Sequence, residues 1–122
     1  LTMDIFPTIC DIANVNIKHD IDGMSILPLL QGEKQATDGR YLFWVRREGG
    51  KYGGKAYYAA RYGDKKIMQN TPFVPVQYFN LKDDPAEKME ILKEGDDYKK
   101  LWKNLREHIR ISGAVPWQEP RR

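Results

Sequence analysis

Several features that would assign the protein to a class at once are absent from the sequence. Cys10 is the only cysteine among 122 residues, so an intrachain disulfide scaffold is excluded, and no cluster of Cys and His has metal-site spacing. The longest apolar run is a handful of residues, whereas roughly 20 are needed to cross a bilayer. Neither sign of charge dominates, because 20 Lys and Arg oppose 17 Asp and Glu. Arms that bind nucleic acid carry blocks of like charge, which this chain lacks.

The composition is typical of a folded domain with its own core. Hydrophobic residues make up 41% and charged residues 30%, which is ordinary globular usage and excludes disordered and collagen-like chains. A chain of this length buries enough surface to be stable without metals or disulfides. Leu1 is preceded by no initiator Met and followed by no leader-like pattern, so we expect the natural chain to begin upstream of it.

A short helix is predicted near the start of the chain, because apolar residues recur at helical spacing up to residue 13. With Asp4 as N-cap, Pro7 occupies the third helical position, where its missing N–H has no partner to lose. Cys10 lies beside the apolar stripe, and we interpret it as a packed, unreactive thiol.

A loop and a second short helix are predicted next. Residues 16–24 form the loop, and the sequence His19-Asp20-Ile21-Asp22 within it is interpreted as part of a turn rather than a metal site. Ser25 is predicted to cap a helix over residues 26–30 that stops at Gly32.

The apolar pattern changes its period after the polar segment 33–40, where we place a subdomain boundary. Aromatic and β-branched residues then dominate four segments, which predict strands over residues 41–45, 56–61, 65–69 and 76–81. Because these strands are joined in sequence by turns, they predict an antiparallel meander. The first two strands form a hairpin whose connection is rich in glycine.

The last third of the chain contains two helix-start signals. The sequence Asp84-Pro85-Ala86-Glu87 predicts a capping arrangement, with Asp as N-cap and Glu at the third helical position, rather than a catalytic group. A longer helix is predicted to begin at Asp96 or Asp97 and to end at Gly113. Its apolar face consists of Tyr98, Leu101, Trp102, Leu105 and Ile109.

Together these elements predict an α+β fold. The four-stranded antiparallel sheet packs with the C-terminal amphipathic helix, since each has one face to bury, and two short helices precede this two-layer unit.

Five motifs in a shared order resemble those of type I sulfatases. Residues 2–13 (TMDIFPTICDIA) are similar to S/T-x-D-[LI]-x-P-T-[LI]-x-x-[LI]-A, and residues 22–32 (DGMSILPLLQG) to D-G-x-S-L-x-P-L-L-x-G. Residues 59–67 (AARYGDKKI) resemble A-V-R-x-G-x-W-K-L, with a lysine where an aromatic residue is usual. Residues 78–81 (YFNL) and 84–87 (DPAE) resemble L-Y-[DN]-L and D-P-x-E, and Glu90-Ile91 replaces the family's N-L. The chain is therefore identified, by resemblance, as the C-terminal part of a sulfatase.

The resemblance implies an alkaline-phosphatase-like α/β catalytic domain. Its active site holds a formylglycine, made from Cys or Ser in a C/S-x-P/A-x-R signature, and a divalent cation, usually calcium. Cys10 lacks that signature, because Asp11-Ile12-Ala13-Asn14 follows it. We therefore expect no catalytic residue, no metal ligand and no cofactor in this chain, and we predict that the chain alone is inactive.

The resemblance also implies how the chain is divided and what it contacts. Residues 1–32 correspond to the two short helices that end the catalytic domain, and residues 33–122 to the C-terminal subdomain. The implied partners are the N-terminal catalytic domain of the same polypeptide and a sulfated carbohydrate, with no nucleic acid and no membrane span. Without the catalytic domain, exposed apolar surface would favour self-association. A periplasmic, secreted or lysosomal location is implied by the family.

A cluster of basic residues surrounds the predicted hairpin. Two interpretations are open: a solvated strand edge that resists aggregation, or a hairpin whose tip reaches over the active-site mouth and contacts a sulfated sugar. Arginine binds sulfate with a bidentate fork, and aromatic rings offer a flat apolar face to sugar C–H groups. The candidate substrate-binding residues are Arg46, Arg47, Lys51, Tyr52 and Arg61.

Two other classes of protein remain as alternatives. A free-standing carbohydrate-binding or protein-interaction module would have to cover the apolar residues of segment 1–32 within the chain. A nucleic-acid-binding protein would use the same basic hairpin, but the net charge of +3 is modest and the acidic stretch 83–97 would repel phosphate.

Overall fold

The computed structural model describes residues 1–35, 39–47, 56–71 and 73–112. The chain divides into two compact units, Leu1–Thr37 and Asp38–Arg122. The predicted domain boundary after residue 32 stays a prediction. Within the described part of the chain, no helix combines the length and the apolar character that a membrane span requires.

The first unit consists of a 3-10 helix, Thr2–Asp4, that runs into helix α1, Ile5–Ile12, and of a separate helix α2, Leu27–Leu30. Asp4 is the N-cap of α1, as predicted, but its carboxylate makes no capping hydrogen bond. Its Oδ1 instead accepts a hydrogen bond from the backbone N–H of Met24 at 3.0 Å. The side chain therefore holds the loop.

Helix α2 begins later than predicted. Ile26 is its N-cap, so the assignment of Ser25 to that position is wrong. Ser25 lies one residue before this N-cap. Its hydroxyl still accepts a hydrogen bond from the N–H of Leu27 at 3.2 Å. Gly32, at a φ of +81°, follows the helix in the left-handed conformation that commonly terminates helices. Cys10 of α1 is half-buried.

The second unit contains the predicted meander. Strands β1 (Tyr41–Arg47), β2 (Ala56–Tyr62), β3 (Lys65–Gln69) and β4 (Gln77–Asn80) pair antiparallel in the order β1-β2-β3-β4. The predicted hairpin is confirmed, with Arg47 paired to Ala56 at its end. The Gly-rich connection between these strands lies outside the described residues.

Helix α3, Gly95–Ser112, covers one face of this sheet. It begins just before the predicted Asp96, and the predicted stop at Gly113 lies outside the described residues. The predicted apolar face is confirmed, because all five of its side chains belong to the core or pack against it. The buried core residues are Ala60, Ile67, Val76, Tyr78, Leu101 and Leu105. The α+β prediction is therefore confirmed.

The capping arrangement predicted at Asp84 is wrong, because no helix follows it. Residues 84–87 form a turn closed by a hydrogen bond from the Glu87 N–H to the Asp84 carbonyl, at 3.2 Å, and Glu87 has a φ of +54°. The Asp84 Oδ2 accepts a hydrogen bond from the N–H of Met89 at 2.8 Å. Ile91 then donates its N–H to the carbonyl of Tyr78 at 2.9 Å, so the chain returns along the edge of β4 instead of coiling.

Candidate functional site

Asp4, the N-cap of α1, and two side chains of α1 hold the loop that carries the second sulfatase-like motif. Thr8 is 6% exposed, and its hydroxyl donates to the Asp4 carbonyl at 2.6 Å and accepts from the Ile26 N–H at 3.0 Å. The Ser25 hydroxyl donates to Asp11 Oδ2 at 2.6 Å. Asp4, Thr8 and Asp11 recur at helical spacing, so they face the same segment. The polar residues of this motif thus hold the segment together through their hydrogen bonds.

The apolar residues of α1 are largely exposed. Ile5, Phe6, Ile9 and Ile12 have exposed fractions of 55%, 52%, 58% and 62%. Scattered exposed apolar residues are ordinary, but a contiguous patch on one short helix marks an interaction surface. This surface is the strongest candidate in the first unit for contact with another part of a larger protein.

The sheet of the second unit presents two different faces. Side chains alternate along a strand, so Tyr41 and Phe43, which pack against the core, define the face that α3 covers. The strand register places Leu42, Trp44 and Arg46 on the opposite face. We call this opposite side the outer face. It carries apolar residues as well, because Phe79, which is 2% exposed, also lies there, opposite Lys66.

The structure separates the predicted substrate-binding residues. Arg46 is exposed near the hairpin end of β1 and pairs with Tyr57. Arg61 is half-buried on the same outer face, where its Nε donates to the Gly63 carbonyl at 2.8 Å. Tyr57, the partner of Arg46, precedes Arg61 by four residues on β2, so the two arginines are separated by about 13 Å along the strand direction. The two arginines therefore lie at different positions along the outer face.

The remaining predicted residues give less information. Arg47 is the last residue of β1 and pairs with Ala56. Lys51 and Tyr52 lie outside the described residues, so their part in a substrate contact stays a prediction.

A depression on the outer face was not predicted from the sequence. Its volume is about 330 Å³, and its lining includes Trp44, Arg46, Tyr57, Ala59, Lys66, Met68 and Asn70. Trp44 and Met68 are the cross-strand partners of Ala59, so a small residue lies between two large ones. The signal in the sequence is the presence of apolar residues on both faces of β1, which indicates that neither face is simply solvated.

An ion pair borders this depression. Lys66 donates from Nζ to Glu87 Oε1 at 2.5 Å, with both side chains about three-quarters buried. Further along the outer face, Gln77 donates from Nε2 to Glu90 Oε1 at 2.9 Å, and this hydrogen bond lowers the pKa of Glu90. The turn over residues 84–87 and the segment after it are thus fastened to the sheet. No carboxylate is found among the described residues that line the depression.

The single cysteine of the sequence does not fit a formylglycine, and the described residues do not fit a divalent cation. Cys10 is followed by no Pro or Ala at the third position and no Arg at the fifth. Among the described residues, no three His, Cys, Asp or Glu side chains form a group that could hold a metal ion. We therefore assign no catalytic step to this chain.

Comparison with known proteins identifies the origin of these features. Residues 1–113 match the family model of N-sulphoglucosamine sulphohydrolase, C-terminal. A Delta 4,5-hexuronate-2-O-sulfatase of Bacteroides thetaiotaomicron is 27% identical over 96 residues, which cover 76% of this chain and 19% of that protein. Human steryl-sulfatase is 44% identical over 43 residues, covering 34% of this chain and 7% of that protein.

A solved structure agrees with these relatives. The protein described in complex with its substrate D-glucosamine-2-N,6-O-disulfate superposes with a TM-score of 0.67 and 25% identity, covering 97% of this chain and 25% of that one. The chain spans less than a fifth of the length of the two curated relatives.

The meander, the covering helix and the motifs of the first unit define the C-terminal region of a sulfatase of the alkaline-phosphatase-like superfamily. Within that class, the chain belongs to the family of N-sulphoglucosamine sulphohydrolase C-terminal domains. The resemblance inferred from the motifs is confirmed.

Proposed function

We propose that this chain is the C-terminal piece of an enzyme that hydrolyses sulfate esters of a sulfated carbohydrate. In this proposal the piece supports the catalytic domain and contacts the rim of the substrate, and the catalytic centre lies on the missing part of the polypeptide. The observation that carries the proposal is the family match over residues 1–113. The choice of a sulfated carbohydrate is supported by the hexuronate and glucosamine disulfate named for two of the similar proteins.

The division of labour is supported by the chemistry of the chain. Formylglycine and a divalent cation such as calcium, which supply the nucleophile and the charge stabilisation in the family, would be held by residues upstream of Leu1. The exposed apolar residues of α1, such as Phe6 and Ile9, would pack on that catalytic domain. A free-standing carbohydrate-binding module is the alternative, and these exposed residues count against it.

The first test compares the 122-residue chain with the full-length enzyme. We expect the full-length enzyme to hydrolyse a sulfated glucosamine, and the 122-residue chain to hydrolyse no sulfate ester above a heat-inactivated control. A steroid sulfate serves as the competing substrate, because steryl-sulfatase is also similar over part of the chain. Turnover by the 122-residue chain would contradict the proposed division of labour. A gene without a C/S-x-P/A-x-R signature upstream would favour the free-standing module.

The second test concerns the basic hairpin. Adjacent strand residues lie on opposite faces of a sheet, so Arg46→Ala and Arg47→Ala are expected to differ in their effect on KM for a sulfated oligosaccharide. Turnover of a small aryl sulfate should change little in either variant. An exposed ion pair contributes about 0.2–1 kcal/mol, whereas a partly desolvated arginine–sulfate pair contributes more. Equal and negligible effects of Arg46→Ala, Arg47→Ala and Arg61→Ala would favour the other interpretation, in which the hairpin is a solvated surface.

A further inference from the structure

We infer that the depression on the outer face binds one sugar unit of a sulfated carbohydrate, with the sugar's C–H face on Trp44 and a sulfate group beside Arg46. This inference rests on the proposed function and adds to it a site that the motifs do not contain. The indole of Trp44 is the main contact surface of this site. Trp44 is 41% exposed, and its strand, β1, pairs with β2.

The shape of the site follows from the strand register. Trp44, Ala59 and Met68 lie in one row across three strands on the outer face. Neighbouring strands lie about 4.8 Å apart, so the backbones of Trp44 and Met68 are roughly 10 Å apart with only a methyl group between them. A ring can enter this trough and lie against the indole. The volume of about 330 Å³ falls at the lower end of the range for small-molecule sites, which suits one sugar unit.

The chemistry of the lining selects the ligand. The depression is mainly apolar, which matches the C–H face of a pyranose better than it matches a chain of phosphates. Arg46 and Asn70 are exposed beside it and can donate hydrogen bonds to sulfate and hydroxyl oxygens. Lys66 adds a cationic group whose charge is balanced by Glu87. The described lining residues thus include two cationic side chains, Arg46 and Lys66, and no carboxylate.

In the proposed enzyme, the depression would hold a sugar unit other than the one that carries the reacting ester. A second sugar unit bound here would orient the first one in the catalytic domain. Such a contact adds affinity for an oligosaccharide and none for a small aryl sulfate.

The test uses the full-length enzyme and a glucosamine-containing disaccharide with N- and 6-O-sulfate groups, beside its desulfated form. Trp44→Ala is expected to raise KM and to weaken the affinity measured by titration calorimetry about tenfold, since a stacked aromatic contact is lost. Trp44→Phe should retain most of the affinity. Arg46→Gln should weaken binding of the sulfated disaccharide only. Phe73→Ala removes an aromatic side chain that is 95% exposed and is not among the described lining residues, so it is the matched control.

A second variant keeps the test decisive if Trp44→Ala folds poorly. Ala59→Leu fills the trough and leaves Trp44 in place, so it should block the sugar with little loss of stability. Wild-type affinity in both Trp44→Ala and Ala59→Leu would overturn the inference, as would a wild-type enzyme that does not bind the disaccharide. A lower Tm with unchanged affinity would also overturn it, because the outer face would then be a contact between domains. Hydrolysis is measured separately, so an enzyme that binds the disaccharide without hydrolysing it contradicts the proposed function alone.

Discussion

Gly23 lies against the backbone of Met3, so close that a Cβ atom at position 23 would be 2.0 Å from the Met3 carbonyl oxygen. Met3 belongs to the first sulfatase motif and Gly23 to the second, so this contact joins the two motifs at their main chains. The glycine is required here for space, because any side chain would collide with backbone that has no free rotamer to adopt.

Gly23→Ala is therefore expected to destabilise the first unit by about 1–3 kcal/mol, the usual cost of overpacking a tight contact. The free energy of unfolding of the chain, measured by urea denaturation, checks this. Gly32→Asn is the control, since nothing lies within 4 Å of a Cβ atom at position 32 and asparagine tolerates its left-handed φ of +81°. Equal stability of the two variants would show that the Met3 contact is not fixed in solution.

Thr8→Val should cost about 1–3 kcal/mol, because the Ile26 N–H loses its acceptor in a partly buried site. The substitution keeps the shape of the side chain and removes the hydroxyl. Amide hydrogen exchange at Ile26 is the specific measurement, and protection should fall in Thr8→Val and persist in Thr8→Ser. Unchanged protection at Ile26 in Thr8→Val would mean that another group holds this amide.

Tyr78 should make the second unit sensitive to alkaline pH. Burial raises the pKa of its phenol above the ordinary value of 10.0, and the charge of Asp97 raises it further. The folded state favours the neutral phenol, so this contribution to stability is complete below pH 10 and is lost as pH rises through the raised pKa. Thermal unfolding of wild type and Tyr78→Phe across this range measures it. A parallel decline of the two curves would assign the alkaline sensitivity to other groups.

The 122-residue chain should self-associate or bind a hydrophobic dye, because the exposed residues of α1 form a patch that a larger protein would cover. Ile9→Gln with Ile12→Gln is expected to reduce both effects, as seen by sedimentation and dye fluorescence. Leu92→Gln removes a leucine that is 77% exposed in the other unit and serves as the control. A monodisperse wild-type chain that binds no dye contradicts this expectation.

The elements that the sequence predicts well are those whose signal is local and whose partner is next in the chain. The four strands and their order follow from aromatic and β-branched runs separated by turns. The face of α3 follows from its helical period, with Leu101 and Leu105 at the centre of the core. The turn after Asp84 fails as a prediction because its capping signal is followed by a segment that pairs with β4 through Ile91 and Tyr78. A tertiary contact here overrides a local preference.

The candidate site was less predictable for a physical reason. Alternation shows which residues share a face of a strand, but it does not show which face a helix covers when both carry apolar residues. Trp44 is equally compatible with a core position on the sequence alone. The trough beside it depends on the register that places Ala59 between Trp44 and Met68, and register is a property of strand pairing.

Arg47 and Ala56 flank residues 48–55, and they are cross-strand partners in the β1–β2 hairpin. The strands are therefore aligned by their own cross-strand contacts, whatever length the connection has. Doubling a flexible connection costs only about 0.6 kcal/mol in loop-closure entropy. Insertions and deletions at this point are thus nearly neutral for the sheet, so the length of this connection can change without loss of the fold.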